Sequence, residues 1–169
     1  MLYSMTLINE TSWRFVSERD IISEDVYSLL GLFKHVKKVA VLPESLYFYR
    51  KNYSSLSRSY RKDRYEKIKH FYCTSVELSQ KLGYDDNIIH RISKPYLAFT
   101  IAALKQECVH HGSWKAAKAS LKEIICDDVL QTVLEKNKKD NVSRTRKVLF
   151  YFMRRKMFFV CYMILKAGK

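Results

Sequence analysis

The chain has 169 residues, enough for one domain or for a small piece of a domain followed by an extension. Its formal net charge of +14 favours polyanions or anionic lipid surfaces as partners. Only 4 Gly and 2 Pro are present, which argues against an all-β or loop-rich fold and for helices. The charge is uneven, because eleven Lys or Arg and one acid follow from Lys136 onward.

The first long predicted helix begins with an acidic pair. Ser23 precedes Glu24 and Asp25, and Ser23 is a natural N-cap, so both carboxylates fall in the first turn, where the helix dipole favours their ionised form. Such a carboxylate can serve as a fixed base or can belong to an ordinary helix start. The apolar residues that follow recur at helical spacing: Val26, Leu29, Leu30, Phe33 and Val36.

Two short β-like runs come next, Val39–Leu42 and Leu46–Arg50, separated by a Pro-containing turn at 43–45. Alternation in the second run places Tyr47 and Tyr49 on the face opposite Arg50. The pattern therefore predicts a small β element. Four upstream apolar residues are expected to pack against it: Trp13, Phe15, Ile21 and Ile22.

The second half of the chain reads as helical. Its five histidines show no metal-binding spacing. The four cysteines are far apart without a Cys-x-x-Cys pair, so they are expected to be small buried hydrophobes in a reduced, cytosolic setting. The amino end lacks a signal-peptide pattern.

Four helices are predicted in this half: 63–82, capped by Asp63 and ended by Gly83; 85–110, bent or broken near Pro95; 114–126, capped by Ser113; and about 127–136, opened by Asp127 and Asp128.

The last segment combines aromatic and basic residues. Its apolar runs, Val148–Met153 and Met157–Leu165, are interrupted by three cations at 154–156. Neither run reaches the roughly 20 residues that a spanning helix needs. The mixture favours a helix on the surface of an anionic leaflet, and the alternative is a core helix with solvated cations.

An ordered set of residues between 2 and 58, about a third of the chain, resembles a known pattern. The set resembles the closing part of the catalytic domain in family 2 glycosyltransferases, the inverting GT-A type enzymes that use nucleotide-sugars. The matching residues are Leu2-Tyr3, Leu7-Ile8, Arg14-Phe15, Glu24-Asp25-Val26, Leu32-Phe33, Lys38, Ala40, Leu46-Tyr47, Tyr49-Arg50, Asn52, Ser55 and Ser57.

The resemblance implies a mainly α chain with a small β element. Residues 1–59 would be the C-terminal segment of a GT-A type α/β catalytic domain, 60–141 a helical extension and 142–169 a basic aromatic helix. In the family, an upstream nucleotide-binding half carries an Asp-x-Asp motif for a divalent metal, Mg or Mn. This chain contains no Asp-x-Asp, so we expect it to bind no metal and to be inactive without that half.

The resemblance also assigns roles to residues. It implies that Asp25 is the general base that takes the proton of the acceptor hydroxyl. Glu24 lies about 100° further round the helix, so only one of the two can face the acceptor. Arg50 would stabilise the diphosphate leaving group, and Tyr47 and Tyr49 would line an acceptor sugar site. The plain alternatives are a solvated acid pair, an edge-strand cation and tyrosines that pack on the sheet.

The expected function is transfer of a sugar from a nucleotide-sugar donor to a glycan or lipid-linked acceptor, in cell-surface polysaccharide synthesis. The expected location is cytoplasmic, peripheral on the inner face of the cell membrane, against an anionic surface. The alternatives are a basic helical module that binds nucleic acid through 136–156 and a non-catalytic interaction protein. The cations of this region interrupt apolar runs, which suits lipid better than nucleic acid, so no nucleic acid is expected.

Overall fold

A computed structural model of the chain describes residues 2–17, 19–48 and 59–168. The described residues form eight α-helices, with longer irregular connections between the first two helices and at 36–48. The helices are α1 (Met5–Thr11), α2 (Glu24–Phe33), α3 (Arg64–Lys81), α4 (Asp86–His111), α5 (Trp114–Ile125), α6 (Asp128–Lys136), α7 (Arg144–Arg154) and α8 (Phe158–Ala167).

The expected β element is wrong, and with it the GT-A type α/β fold class. In the part of the chain that the structure describes, no residue belongs to a strand, and 36–48 is irregular. A strand needs a neighbour that pairs with its backbone and a face that it can bury. Within the described residues no backbone pairs with 39–42, and Val41 is 87% exposed. The end of the second predicted strand, Tyr49 and Arg50, lies outside the described residues.

The helices α3 to α8 form a bundle around one core, and α4 contacts α3, α5 and α8. Local sequence signals begin α4, α5 and α6 and end α3 and α4, whereas Asp63, the predicted N-cap of α3, makes no side-chain cap hydrogen bond. The side chains of Asp85, Ser113 and Asp127 accept hydrogen bonds from the backbone N–H three residues on, at 3.1, 3.4 and 3.1 Å. Gly83 and Gly112 follow α3 and α4 with φ of 69° and 68°, a left-handed conformation that glycine adopts without strain. These predicted boundaries are confirmed to within two residues.

The helix α4 continues through Pro95. The sequence predicted a bend or break there, because proline cannot donate to the carbonyl of Arg91. Packing on the next residue offsets that loss, since Tyr96 is fully buried and its ring lies 4.5 Å from the ring of Tyr72. The proline therefore does not end the helix.

The basic aromatic segment forms two helices where the sequence predicted one. Lys156 has a left-handed backbone with φ of 54° and ends α7, and α8 begins two residues later. One face of each helix joins the core of the bundle, through Leu149, Phe150, Met153, Cys161, Tyr162 and Leu165. Among the described helices, none combines the length and the apolar character that crossing a bilayer requires.

Candidate functional site

The acidic pair lies where the sequence predicted it, in the first turn of α2. Asp25 is exposed and Glu24 is half-buried. Ser23 has φ of 57° and its hydroxyl makes no cap bond, so the expected N-cap hydrogen bond is absent. Instead, the N–H of Val26 donates to Oδ1 of Asp25 at 2.8 Å. The carboxylate thus partners one of the N–H groups that a helix start leaves open, and its charge suits the positive end of the dipole.

One turn further along α2, a buried serine holds the preceding loop. The Ser28 hydroxyl accepts from the N–H of Val16 at 2.9 Å, and the Ser28 carbonyl accepts from Nε1 of Trp13 at 2.7 Å. Cδ1 of Trp13 lies 3.9 Å from the position that a Cβ on Gly31 would occupy, so the loop packs along α2 three to six residues beyond Asp25. Sequence reasoning missed Ser28, because nothing in its local pattern distinguishes it from a surface serine.

Three aromatic rings cluster on this loop. The ring centroids of Trp13 and Phe15 are 4.6 Å apart, and Tyr3 lies 5.5 Å from Trp13 and 5.9 Å from Phe15. The expectation that Trp13 and Phe15 pack against a sheet is corrected: they pack on each other, on Tyr3 and beside α2. Phe15 remains half exposed. The cluster offers apolar ring surface of the kind that binds the CH groups of a sugar.

The other end of α2 is attached to the turn between α3 and α4. The hydroxyl of Tyr84 donates to the carbonyl of Leu30 at 2.7 Å, and Nζ of Lys34 lies 5.3 Å from the centre of the Tyr84 ring. An open cleft of about 630 Å³ adjoins this contact. Leu30 follows Asp25 by five residues, so about 7.5 Å along the helix axis separates this contact from Asp25. The cleft is lined by Gly83, Tyr84, Asp85, Asn87, Ile88 and Arg91.

The other predicted site residues are not brought to Asp25 by any described contact. Tyr47 is 83% exposed, and within the described ranges no hydrogen bond or ring contact joins it to Asp25. Tyr49 and Arg50 lie outside the described residues. The sugar-site and leaving-group roles of these three residues stay predictions.

The described residues contain no group of three His, Cys, Asp or Glu side chains that could hold a metal ion. Two histidines pair with carboxylates instead: Nε2 of His90 lies 3.0 Å from Asp140, and Nε2 of His111 lies 3.3 Å from Glu107. Burial raises the pKa of Cys108 to about 11, with the nearby Glu107 adding to the effect. Burial likewise raises the pKa of Cys161 to about 12. Both thiols stay protonated at neutral pH, so neither is a nucleophile.

A second polar cluster surrounds the buried carboxylate of Glu107. Its Oε2 accepts from the hydroxyl of Tyr60 at 3.3 Å and faces Nε2 of His111 at the same distance, while the Tyr60 ring stacks on His110 at 3.6 Å. Burial, together with the charge of Glu107, raises the pKa of Tyr60. The cluster fixes the chain just before α3 to the end of α4. The i, i+4 spacing of Glu107 and His111 could have predicted that pair from the sequence. The contact of Tyr60 could not have been predicted, because Tyr60 lies 47 positions from Glu107.

Ser120 completes an arrangement that superficially looks hydrolytic. Its hydroxyl lies 3.4 Å from Nε2 of His111, the same nitrogen that faces Glu107. A Ser–His–acid relay uses both ring nitrogens of the histidine, one for each partner. Here both partners face the same nitrogen, so Ser120, His111 and Glu107 do not form that relay.

Comparison of the chain with protein-family models, with curated proteins and with solved structures found no match. The resemblance of residues 2–58 to family 2 glycosyltransferases thus rests on the ordered residues in the sequence, and it remains a prediction.

Proposed function

We propose that the chain is the acceptor-side part of an inverting glycosyltransferase that uses a nucleotide-sugar donor, with Asp25 as its general base. The observation that supports this best is the exposed Asp25 carboxylate at the start of α2, the helix to which Ser28 attaches the aromatic loop. A fixed carboxylate and exposed ring surface are what an enzyme needs in order to take a proton from a sugar and to hold it.

The chemistry sets the demands on the base. As the acceptor oxygen bonds to the anomeric carbon, the bond from that carbon to the nucleotide diphosphate breaks, and the diphosphate leaves with the electron pair. The acceptor proton passes to Asp25. Because the Val26 N–H engages Oδ1, Oδ2 is the oxygen that can accept this proton. Glu24 is half-buried and about 100° away round the helix, so it is not placed for the same role.

The exposed apolar side chains of residues 2–48 support the proposal that this segment packs against another part of a larger enzyme. This segment buries two large apolar side chains, Ile21 and Leu32, and exposes eleven. Large apolar side chains exposed in this number suit a segment that packs against further protein. Full burial of each such side chain stabilises a contact by about 1.5–3 kcal/mol. The exposed set is Leu2, Met5, Phe15, Val26, Phe33, Val39, Val41, Leu42, Leu46, Tyr47 and Phe48.

The proposal assigns the remaining components to the intact enzyme. A donor-binding half would contact the exposed apolar surface of 2–48 and hold the nucleotide-sugar together with a divalent metal, Mg or Mn. The metal would neutralise charge on the diphosphate. The acceptor would be a glycan or a lipid-linked sugar that reaches Asp25.

The test starts with the reading frame ahead of Met1. We expect it to encode a nucleotide-binding half, and we expect the joined polypeptide to transfer sugar from a nucleotide-sugar with inversion at the anomeric carbon, followed by NMR. The 169-residue chain alone is the control and should neither transfer sugar nor bind donor. A joined polypeptide that binds no nucleotide-sugar, or a product with retained configuration, would contradict the proposal.

A further inference from the structure

The outer face of α7 alternates cations with apolar side chains. Arg144, Val148, Tyr151 and Arg155 follow one another at steps of four, three and four, so they share one side of the helix. The Arg155 guanidinium lies 5.5 Å from the centre of the Tyr151 ring, which confirms that these two side chains are neighbours. All four are exposed. The buried side chains of α7 lie on the opposite side: Leu149, Phe150 and Met153.

Basic and apolar side chains are also exposed in the turn after α7 and on α8. Lys156 and Met157 are exposed in the turn, and Phe159 and Met163 are about half exposed one turn apart on α8. The buried side chains of α8 point into the bundle instead. We define the basic aromatic face by these residues and those of the outer side of α7: Arg144, Val148, Tyr151, Arg155, Lys156, Met157, Phe159 and Met163.

The charge of this region is not neutralised within the described chain. Residues 143–168 contain seven Lys or Arg and no acid. Among the described residues, only Arg154 of these seven has a carboxylate within 4.0 Å. Its Nε lies 3.5 Å from Oε1 of Glu135. Elsewhere in the bundle, cations such as Lys69 do have acidic partners, in this case Asp127 at 2.7 Å. The basic aromatic face therefore keeps its positive field toward solvent.

We propose that the basic aromatic face binds the surface of an anionic phospholipid bilayer. Its cations would contact the headgroup phosphates, and its exposed rings and methionines would enter the boundary between headgroups and acyl chains. The helices α7 and α8 would lie along the surface, because their inner sides are already packed in the bundle core. This inference goes beyond the proposed transferase and does not depend on it.

Lipid fits the face better than nucleic acid does. A nucleic-acid surface places polar and stacking groups between its cations. The basic aromatic face does carry two rings, Tyr151 and Phe159, but its other apolar side chains are Val148, Met157 and Met163, which neither stack on bases nor gain from a phosphate backbone. Between phospholipid headgroups, the same side chains leave water and are stabilised by burial.

The test is co-sedimentation of the full chain with vesicles. We expect binding to mixed phosphatidylcholine–phosphatidylglycerol vesicles and little binding to pure phosphatidylcholine. The double variant Arg144→Gln/Arg155→Gln should bind the anionic vesicles on the order of thirtyfold more weakly, from about fivefold for each cation near the surface. The matched control Lys37→Gln/Lys81→Gln loses the same charge from exposed positions outside 143–168 and should bind almost as the unmodified chain does.

A spectroscopic variant separates lipid from other occupants. In Tyr151→Trp, the indole emission should shift to the blue with anionic vesicles and stay unchanged with a single-stranded DNA oligonucleotide. Equal binding to neutral and anionic vesicles would overturn the inference. An equal loss of binding to anionic vesicles in both double variants would also overturn the inference. The same holds if the oligonucleotide displaces the chain from the vesicles. Circular dichroism of each variant shows that the bundle is folded.

Discussion

The indole Nε1 of Trp13 donates a hydrogen bond of 2.7 Å to the main-chain carbonyl of Ser28. This contact, with the 2.9 Å bond from the Val16 N–H to the Ser28 hydroxyl, is what attaches the aromatic loop to α2. Both bonds attach the loop to α2 three residues beyond Asp25. Ser28 is therefore the residue that positions the aromatic loop on this helix.

Ser28→Ala should loosen the loop without unfolding the bundle. The substitution leaves the partly buried N–H of Val16 without its acceptor, at a cost of about 1–3 kcal/mol in local stability. Hydrogen exchange at the Val16 amide should become on the order of tenfold faster or more, while amides of α4 keep their protection. Ser17→Ala, on the same loop, is the control, since its hydroxyl contacts only the exposed Arg19 N–H. Unchanged exchange at Val16 would show that Ser28 does not hold the loop.

The ion pair of Lys69 and Asp127 should make stability depend on pH. Burial opposes ionisation of Asp127, but hydrogen bonds from Lys69, from the Leu130 N–H and from Tyr65 outweigh it, and the pKa of Asp127 is lowered. A lowered folded-state pKa gives stability that is present above the ordinary carboxyl pKa of about 3.9 and is lost as pH falls through the folded-state value.

Asp127→Asn tests this linkage. Asparagine still caps α6, so the loss reports mainly the charged hydrogen bonds, about 1–3 kcal/mol at neutral pH. Urea unfolding should show that deficit at neutral pH and a smaller one in acid, below the ordinary carboxyl pKa. The exposed neighbour Asp128→Asn should change stability by less than about 0.5 kcal/mol. A deficit of equal size at both pH values would argue against the ion pair.

Two buried hydroxyls on α3 lead to the prediction that removing them raises the free energy of unfolding. Ser75 and Ser79 are fully buried, and neither side-chain oxygen has a hydrogen-bond partner among the described residues. Burying a polar group without a partner costs free energy, so Ser75→Ala and Ser79→Ala should each stabilise the bundle, by about 1 kcal/mol. Thermal or urea unfolding measures this. Ser93→Ala is the control and should destabilise, because its hydroxyl bonds Asn137 at 2.9 Å. A loss of stability in both α3 variants would reveal partners for these hydroxyls.

The helical half could be read from the sequence because its signals are local. Asp85, Ser113 and Asp127 cap helices through N–H groups three residues away, and Gly83 and Gly112 end them where a left-handed backbone is required. All the atoms involved lie within one turn of the residue that carries the signal. Such features follow from short-range geometry, whatever the rest of the chain does.

The errors concern features that depend on distant partners. Alternation in Leu46–Arg50 suggested a strand, but an extended segment becomes a strand only beside another backbone, and none pairs with 46–48 in the described chain. The contact between Tyr60 and Glu107 spans 47 positions. The left-handed backbone of Lys156 separates α7 from α8, although the composition of this segment had predicted one continuous helix. The position of Asp25 was readable because a helix start is local, whereas the bond from Trp13 to Ser28 joins residues 15 positions apart and was not readable.

The central claim is that Asp25 takes the proton of the acceptor hydroxyl, and the rate of transfer by the joined polypeptide tests it most directly. Asp25→Asn keeps the size of the side chain and removes the base, so kcat should fall by a factor of about 10² to 10⁴ while donor binding is retained. Glu24→Gln, the adjacent carboxylate, should keep most of the activity. Transfer by Asp25→Asn at the unmodified rate would contradict the account.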